Sequence, residues 1–167
     1  MCSIEASSIC NLASVVLAWL EKIWRIRSTL SQTCKLGFIN AGEKPKEAAV
    51  RELYDSVKIR AYEKDLEQAG VMNLFTLRPD GVRERTLTIT IFICENFQGV
   101  PHMTSGFKPR WFNLSSIPYN DMFEDTKEWL GRVMSGEKVV IEIISTTDEQ
   151  TNITKVKDVL VRNIFEK

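Results

Sequence analysis

Residues 37–59, GFINAGEKPKEAAVRELYDSVKI, hold the side chains best placed to do chemistry. Gly37 opens a turn, Glu43-Lys44-Pro45 leads into a helical pattern, and that pattern bears Arg51, Glu52, Asp55 and Ser56. Side chains three or four residues apart share one face of a helix. Carboxylates spaced as Glu52 and Asp55 can therefore address one hard cation. The plainer reading of Glu52 and Asp55 is a solvated helix face paired with Lys46, Arg51 or Lys58.

Around this segment the elements are legible from periodicity. Pro45 suits a first helical turn, Glu47 stands where the helix dipole favours an anion, and Ala48, Ala49, Val50, Leu53 and Val57 make a packing stripe. GVMNLFTL (residues 70–77) and RTLTITIFIC (residues 85–94) read as two strands joined through a Pro-Asp-Gly turn. RWFNL reads as a shorter strand, and Pro118 breaks the chain. NDMFEDTKEWLGRVMSGE then reads as a second helix, with Asp121 as its cap and Gly136 near its exit. KVVIEIIST and ITKVKDVLV read as a closing antiparallel hairpin. Before Gly37, Leu12, Val16, Trp19, Ile23, Ile26 and Leu30 fit an amphipathic helix, while KIWRIR alternates as a strand would. Strands in hairpins around two helices make an α+β domain.

A length of 167 residues suits one domain, 1–167, and 44% hydrophobic with 26% charged residues is a globular composition. The 22 basic and 22 acidic residues cancel, so no global field draws the chain to nucleic acid or an anionic membrane. LASVVLAWL (residues 12–20) is too short to span a bilayer and is closed by Glu21 and Lys22; residues 1–11 contain no Lys or Arg for a signal peptide. Cys2, Cys10, Cys34 and Cys94 lack metal or disulfide spacing, which points to a reducing compartment, with a cytoplasmic location the expectation. The sequons at Asn113 and Asn152 are then expected to be idle. His102, the single histidine, reads as an exposed loop residue, and Cys34 and Cys94 as buried thiols.

Gly37, Glu43, Arg51, Glu52, Leu53 and Ile59 stand at the spacings of the box that marks the Nudix hydrolase superfamily, which this chain resembles. TITIFICENFQGVP followed by FKPRWFNLSSIPYNDMFEDTKEWL is similar to the second half of its oxidised-purine nucleoside triphosphate (8-oxo-dGTP) diphosphatases. The resemblance runs from Gly37 to the C-terminus, and residues 1–36 are atypical. It implies an α/β/α sandwich with a mixed central sheet, and metal-assisted attack of water on a diphosphate linkage of a nucleoside triphosphate.

The same resemblance implies roles for particular residues. Gly37, Glu43 and Arg51 form the structural part of the box, with Glu43 and Arg51 pairing to hold loop and helix together. Glu52 and Asp55 become the catalytic carboxylates, and Glu52, Asp55 and Ser56 the metal positions. The site departs from the family pattern. Asp55 is one methylene shorter than the family's Glu, Ser56 offers a neutral oxygen, and Gly106 stands where the family has a further carboxylate. Lys58 replaces a glycine in a left-handed backbone position. Phe123 and Asp125, with Leu74 and Leu87 as apolar walls, fall where the family holds the base; Phe123 would stack on it, and Asp125, if buried and protonated, would share hydrogen bonds with its edge. The competing assignment makes Asp125 a helix cap, Phe123 and Trp129 core, and Leu74 and Leu87 strand core. The alternative function is a catalytically lapsed fold that binds a nucleotide, RNA or protein partner, as monomer or homodimer.

Overall fold

The computed structural model describes residues 13–14, 23–24, 37–103, 111–112, 114–147 and 154–164. Short strands β1 (Ala13–Ser14), β2 (Ile23–Trp24) and β3 (Gly37–Phe38) precede helix α1 (Pro45–Val57). Then come β4 (Leu66–Leu77), β5 (Arg83–Cys94), β6 (Trp111–Phe112), helix α2 (Thr126–Met134), β7 (Val139–Thr147) and β8 (Thr154–Asn163). The main sheet runs β5-β4-β7-β8, with β4 antiparallel to β5 but parallel to β7, so it is mixed. This is the α+β architecture expected.

Side chains alternate across each strand, so the sheet presents two faces. On one, Ile89, Ile91, Met72, Ile141 and Ile143 pack against Trp129, Leu130 and Val133 of α2. On the other, Phe92, Cys94 and Leu66 meet Ala49 and Leu53 of α1. The two helices therefore cover opposite faces. Each fully buried large side chain, such as Phe92 or Leu130, contributes about 1.5–3 kcal/mol by leaving water.

The β4–β5 hairpin owes its turn to Asp80. Its carboxylate accepts the Val82 backbone N–H at 2.9 Å and the Arg78 guanidinium at 2.9 Å, while Gly81 supplies φ 82°. These contacts, the backbone N–H foremost, hold Asp80 below the usual carboxylate range.

Three expectations shift. At Ala13–Ser14 the chain is strand, not helix, because β1 pairs with β3 across the sequence; at Ile23–Trp24 the strand alternation of KIWRIR is the reading that holds, β2 pairing with β6. The rest of that expected helix, Cys34, Gly106, Asn113 and Asn152 lie outside the described residues. Helix α2 begins at Thr126 rather than beside Asp121, which lies in a 3-10 turn (Tyr119–Asp121) followed by extended backbone at Met122. Strand β4 starts at Leu66, earlier than Gly70, because its register continues through a bulge between Gln68 and Gly70. Among the described residues no helix is long and apolar enough to cross a membrane.

Two backbone positions constrain this fold. Gly70 faces Val139 across the parallel β4–β7 pair, where an added Cβ would stand 2.6 Å from the Val139 carbonyl oxygen. Lys58 ends α1 at φ 62°, donating its N–H to the Tyr54 carbonyl at 2.9 Å. Gly70→Ala is expected to destabilise by about 1–3 kcal/mol through backbone overpacking. Lys58→Gly is expected to stabilise by up to about 1 kcal/mol by removing left-handed strain. Urea midpoints of the two variants check both signs.

Candidate active site

Helix α1 begins as its sequence requires, with Pro45 at the first helical position and the Glu47 carboxylate accepting the Lys44 backbone N–H at 2.9 Å. Ala48, Ala49, Leu53 and Val57 are buried, which turns Asp55 away from the core. Glu52 and Ser56 are half-buried and Asp55 is exposed.

The guanidinium of Arg51 organises the approach to this helix. Its Nε and Nη2 donate to the two oxygens of Glu43 at 2.8 and 2.9 Å, and Nη2 also reaches the Phe38 carbonyl at 2.8 Å. Nη1 donates to Glu52 Oε1 at 2.6 Å. The planar fork matches a carboxylate in two-point fashion, which a lysine cannot do. Glu43 also accepts the Asn40 N–H at 2.8 Å, so loop, β3 and helix converge on two side chains. Gly37 lies in β3, one residue before the carbonyl that Arg51 holds.

Electrostatics follow this geometry. The Arg51 hydrogen bonds, then the Asn40 N–H, bring the Glu43 carboxyl down to about 2, and Glu43 in turn raises Arg51 above its already high value. Cys94, buried on the same face of the sheet, is pushed up to about 11 chiefly by loss of water, as befits an inert thiol.

Of the candidate base-side residues, Leu74 and Leu87 lie on the opposite face of the sheet. Leu74 and Leu87 are register partners across β4 and β5, both half-buried against the α2 cluster with Met122 and Ile117. Phe123 is 62% exposed, so it is not core. Asp125 precedes α2, half-buried rather than buried; its Oδ2 accepts the indole N–H of Trp129 at 3.0 Å, while Trp129 itself is core. Asp125 is thus an acceptor already serving one donor. Its carboxylate makes no cap to α2. Trp129 as the partner was missed from sequence, although its i, i+4 spacing from Asp125 signals it. His102 is an exposed loop residue whose backbone N–H donates to the Val57 carbonyl at 3.0 Å.

Glu52, Asp55 and Ser56 thus form one group on α1, and Leu74 and Leu87, packed against the α2 cluster, a second; Phe123 is exposed and Asp125 is bonded to Trp129. Among the described residues no three His, Cys, Asp or Glu side chains come close enough to share an ion. A separate concavity of about 460 Å³, with Ala69, Ile93 and Val133 in its floor, lies near the C-terminal end of α2 and includes neither group.

Because the folded value for Glu43 lies below its ordinary 4.5, its contribution to stability is present above pH 4.5 and is lost as pH falls towards 2. The stability advantage of the wild-type chain over Glu43→Gln should therefore shrink through that window. Urea midpoints of both proteins at pH 7, 4 and 2.5 measure the closing gap.

No protein-family model matches the chain. Over 94 residues it is 27% identical to the oxidized purine nucleoside triphosphate hydrolase of Danio rerio, a match covering 56% of this chain and 56% of that relative. Its structure is similar to a MutT protein from Bacillus halodurans, with TM-score 0.65, 12% identity, and coverage of 90% of this chain and 97% of that one. It is also similar to a NUDIX hydrolase from Nitrosomonas europaea, with TM-score 0.51, 16% identity, and coverage of 80% and 74%. At such identities the structural likeness establishes the fold. The chain has the fold of the Nudix hydrolases, and its sequence resembles the oxidised-purine nucleoside triphosphate hydrolases.

Proposed function

We propose that this protein hydrolyses a diphosphate linkage in a nucleoside triphosphate, an oxidised purine nucleotide such as 8-oxo-dGTP being the favoured substrate. The observation that carries the reading is the Arg51 fork, which holds Glu43 and orients Glu52 on the solvent side of α1. The relative from Danio rerio supports the choice of substrate class.

The donor set suits Mg²⁺ or Mn²⁺. Both are hard cations that commonly take one or two carboxylates and complete their shell with water and substrate phosphates. Glu52 and Asp55 would supply the carboxylates and the Ser56 hydroxyl a neutral oxygen. A cation bound there would neutralise phosphate oxyanions and make a bound water more acidic. Arg51 holds Oε1 of Glu52, and Oε2 would serve as a ligand or take a proton from the attacking water. Asp55 adds negative charge one turn along the helix. Phe123 would stack on the base, with Leu74 and Leu87 as apolar walls and Asp125 at its polar edge.

A second reading rests on the same contact. With Oε1 of Glu52 committed to Arg51 and Ser56 uncharged, the helix could serve as a scaffold for binding a nucleotide, RNA or protein without turnover.

A screen of normal and oxidised nucleoside triphosphates with Mg²⁺ separates the two readings. Hydrolysis is expected from the wild type, with a loss on the order of 10²-fold or more in Glu52→Gln, comparable to removing a general base or a key electrostatic group. Equal product release from both proteins would exclude Glu52 from the chemistry. Ser56→Glu restores a third helix carboxylate and is expected to raise the rate at limiting Mg²⁺; an unchanged rate would show that the cation does not lie on that face.

A further inference from the structure

We propose that the exposed ridge at the C-terminal end of α1, formed by Tyr54, Lys58, Arg60, Tyr62 and Lys64, binds single-stranded nucleic acid, independently of any hydrolysis. Beyond the left-handed Lys58 the chain alternates: Ile59 and Ala61 are buried at 2% and 5%, so Lys58, Arg60 and Tyr62 project to solvent. The backbone beneath them is fixed, because Arg60 exchanges hydrogen bonds with Gln98 at 3.0 and 2.8 Å. Lys58 Nζ stands 4.9 Å and the Arg60 guanidinium 5.8 Å from the centre of the Tyr54 ring, and Lys64 Nζ stands 5.7 Å from that of Tyr62. Both tyrosines are exposed, at 42% and 55%, and among the described residues none of these three cations pairs with a carboxylate. Lys46, whose Nζ donates to the Glu63 carbonyl at 3.1 Å, adds a fourth cation; against them stand Asp55, Glu63 and the half-buried Asp65. The ridge is therefore locally cationic in a chain with no net charge.

A cation that no carboxylate neutralises is available to an anion, and an exposed ring is available to a second π face. A single strand supplies both, since its unstacked bases lie against aromatic side chains while its phosphates take the cations. Exposed cation–π contacts are weak, so Lys58, Arg60 and Lys64 leave the rings at little cost when phosphates arrive. A duplex keeps its base faces stacked inside, and an anionic membrane offers charge but no base for the tyrosines. Stacking and phosphate contacts read no base edge, so binding is expected to be tolerant of sequence.

Fluorescence anisotropy of a labelled oligo(dT) of about 12 nucleotides, titrated with the full chain in EDTA so that no metal-dependent hydrolysis enters, tests this. Saturable binding is expected, with log affinity falling against log salt at a slope of about −2, because three cations on a single strand contribute about 0.7 each. Arg60→Gln should weaken binding and reduce that slope by about 0.7. Tyr62→Ala should weaken binding about fivefold or more at every salt concentration while leaving the slope unchanged, and Tyr62→Phe should bind as the wild type does. No binding at about 50 mM salt, or an unchanged slope in Arg60→Gln, would overturn the proposal. Wild-type affinity in Tyr62→Ala would overturn it in favour of a general polyanion surface, and equal losses in Tyr62→Phe and Tyr62→Ala would deny the stacking role. Binding as tight to duplex DNA, or to phosphatidylserine vesicles, would contradict it too.

Discussion

The bond set on which this molecule depends is the Arg51 fork. One guanidinium reaches both oxygens of Glu43, the Phe38 carbonyl at the end of β3 and one oxygen of Glu52. Those contacts tie a strand end, the loop of Asn40 to Glu43 and the first turns of α1 into one unit, half-shielded from water, where charge-assisted hydrogen bonds are stronger than on an open surface. They also explain why Glu43 is so acidic and why Glu52 has a defined orientation on an otherwise solvated face. A lysine at this position would keep the charge but lose the planar two-point grip.

What this unit can do depends on the sheet behind it. Because β4 runs parallel to β7 and antiparallel to β5, the chain crosses over through α2 and places one helix on each face. The carboxylates of α1 then lie on one side, while Leu74, Leu87 and the Asp125–Trp129 pair lie on the other. Gly70 permits the close approach of β4 and β7 that holds the two halves in register.

Much of this was legible in the sequence where the signal is local. Pro45, the Ala-Ala-Val stripe and Lys58 mark α1 almost to the residue, and Asp80-Gly81 marks the hairpin, because caps and turns are specified by neighbours in the chain. Glu43 and Arg51 were expected to pair from their spacing in the box, and the distances show them paired. At Ile23–Trp24 the local signal allowed helix or strand and pairing with Trp111–Phe112 decides for strand; it misled at Asp121, where a 3-10 turn and extended Met122 delay α2. Asp125 was weighed against a helix cap; it is half-buried and accepts the Trp129 indole N–H, a contact that depends on how α2 seats on the sheet. Partners distant in sequence, and the direction a side chain takes after folding, are what composition and periodicity leave open.

The central claim is that Glu52 serves a divalent cation as well as Arg51. Mn²⁺ binding followed by electron paramagnetic resonance, in the presence of a nucleoside triphosphate and at an ionic strength near physiological, tests it most directly. The account predicts saturable binding in the wild type that weakens on the order of tenfold or more in Glu52→Gln, the loss expected when one of two carboxylate ligands is neutralised. Identical Mn²⁺ affinities in the two proteins would contradict it and leave Glu52 as a structural partner of Arg51 alone.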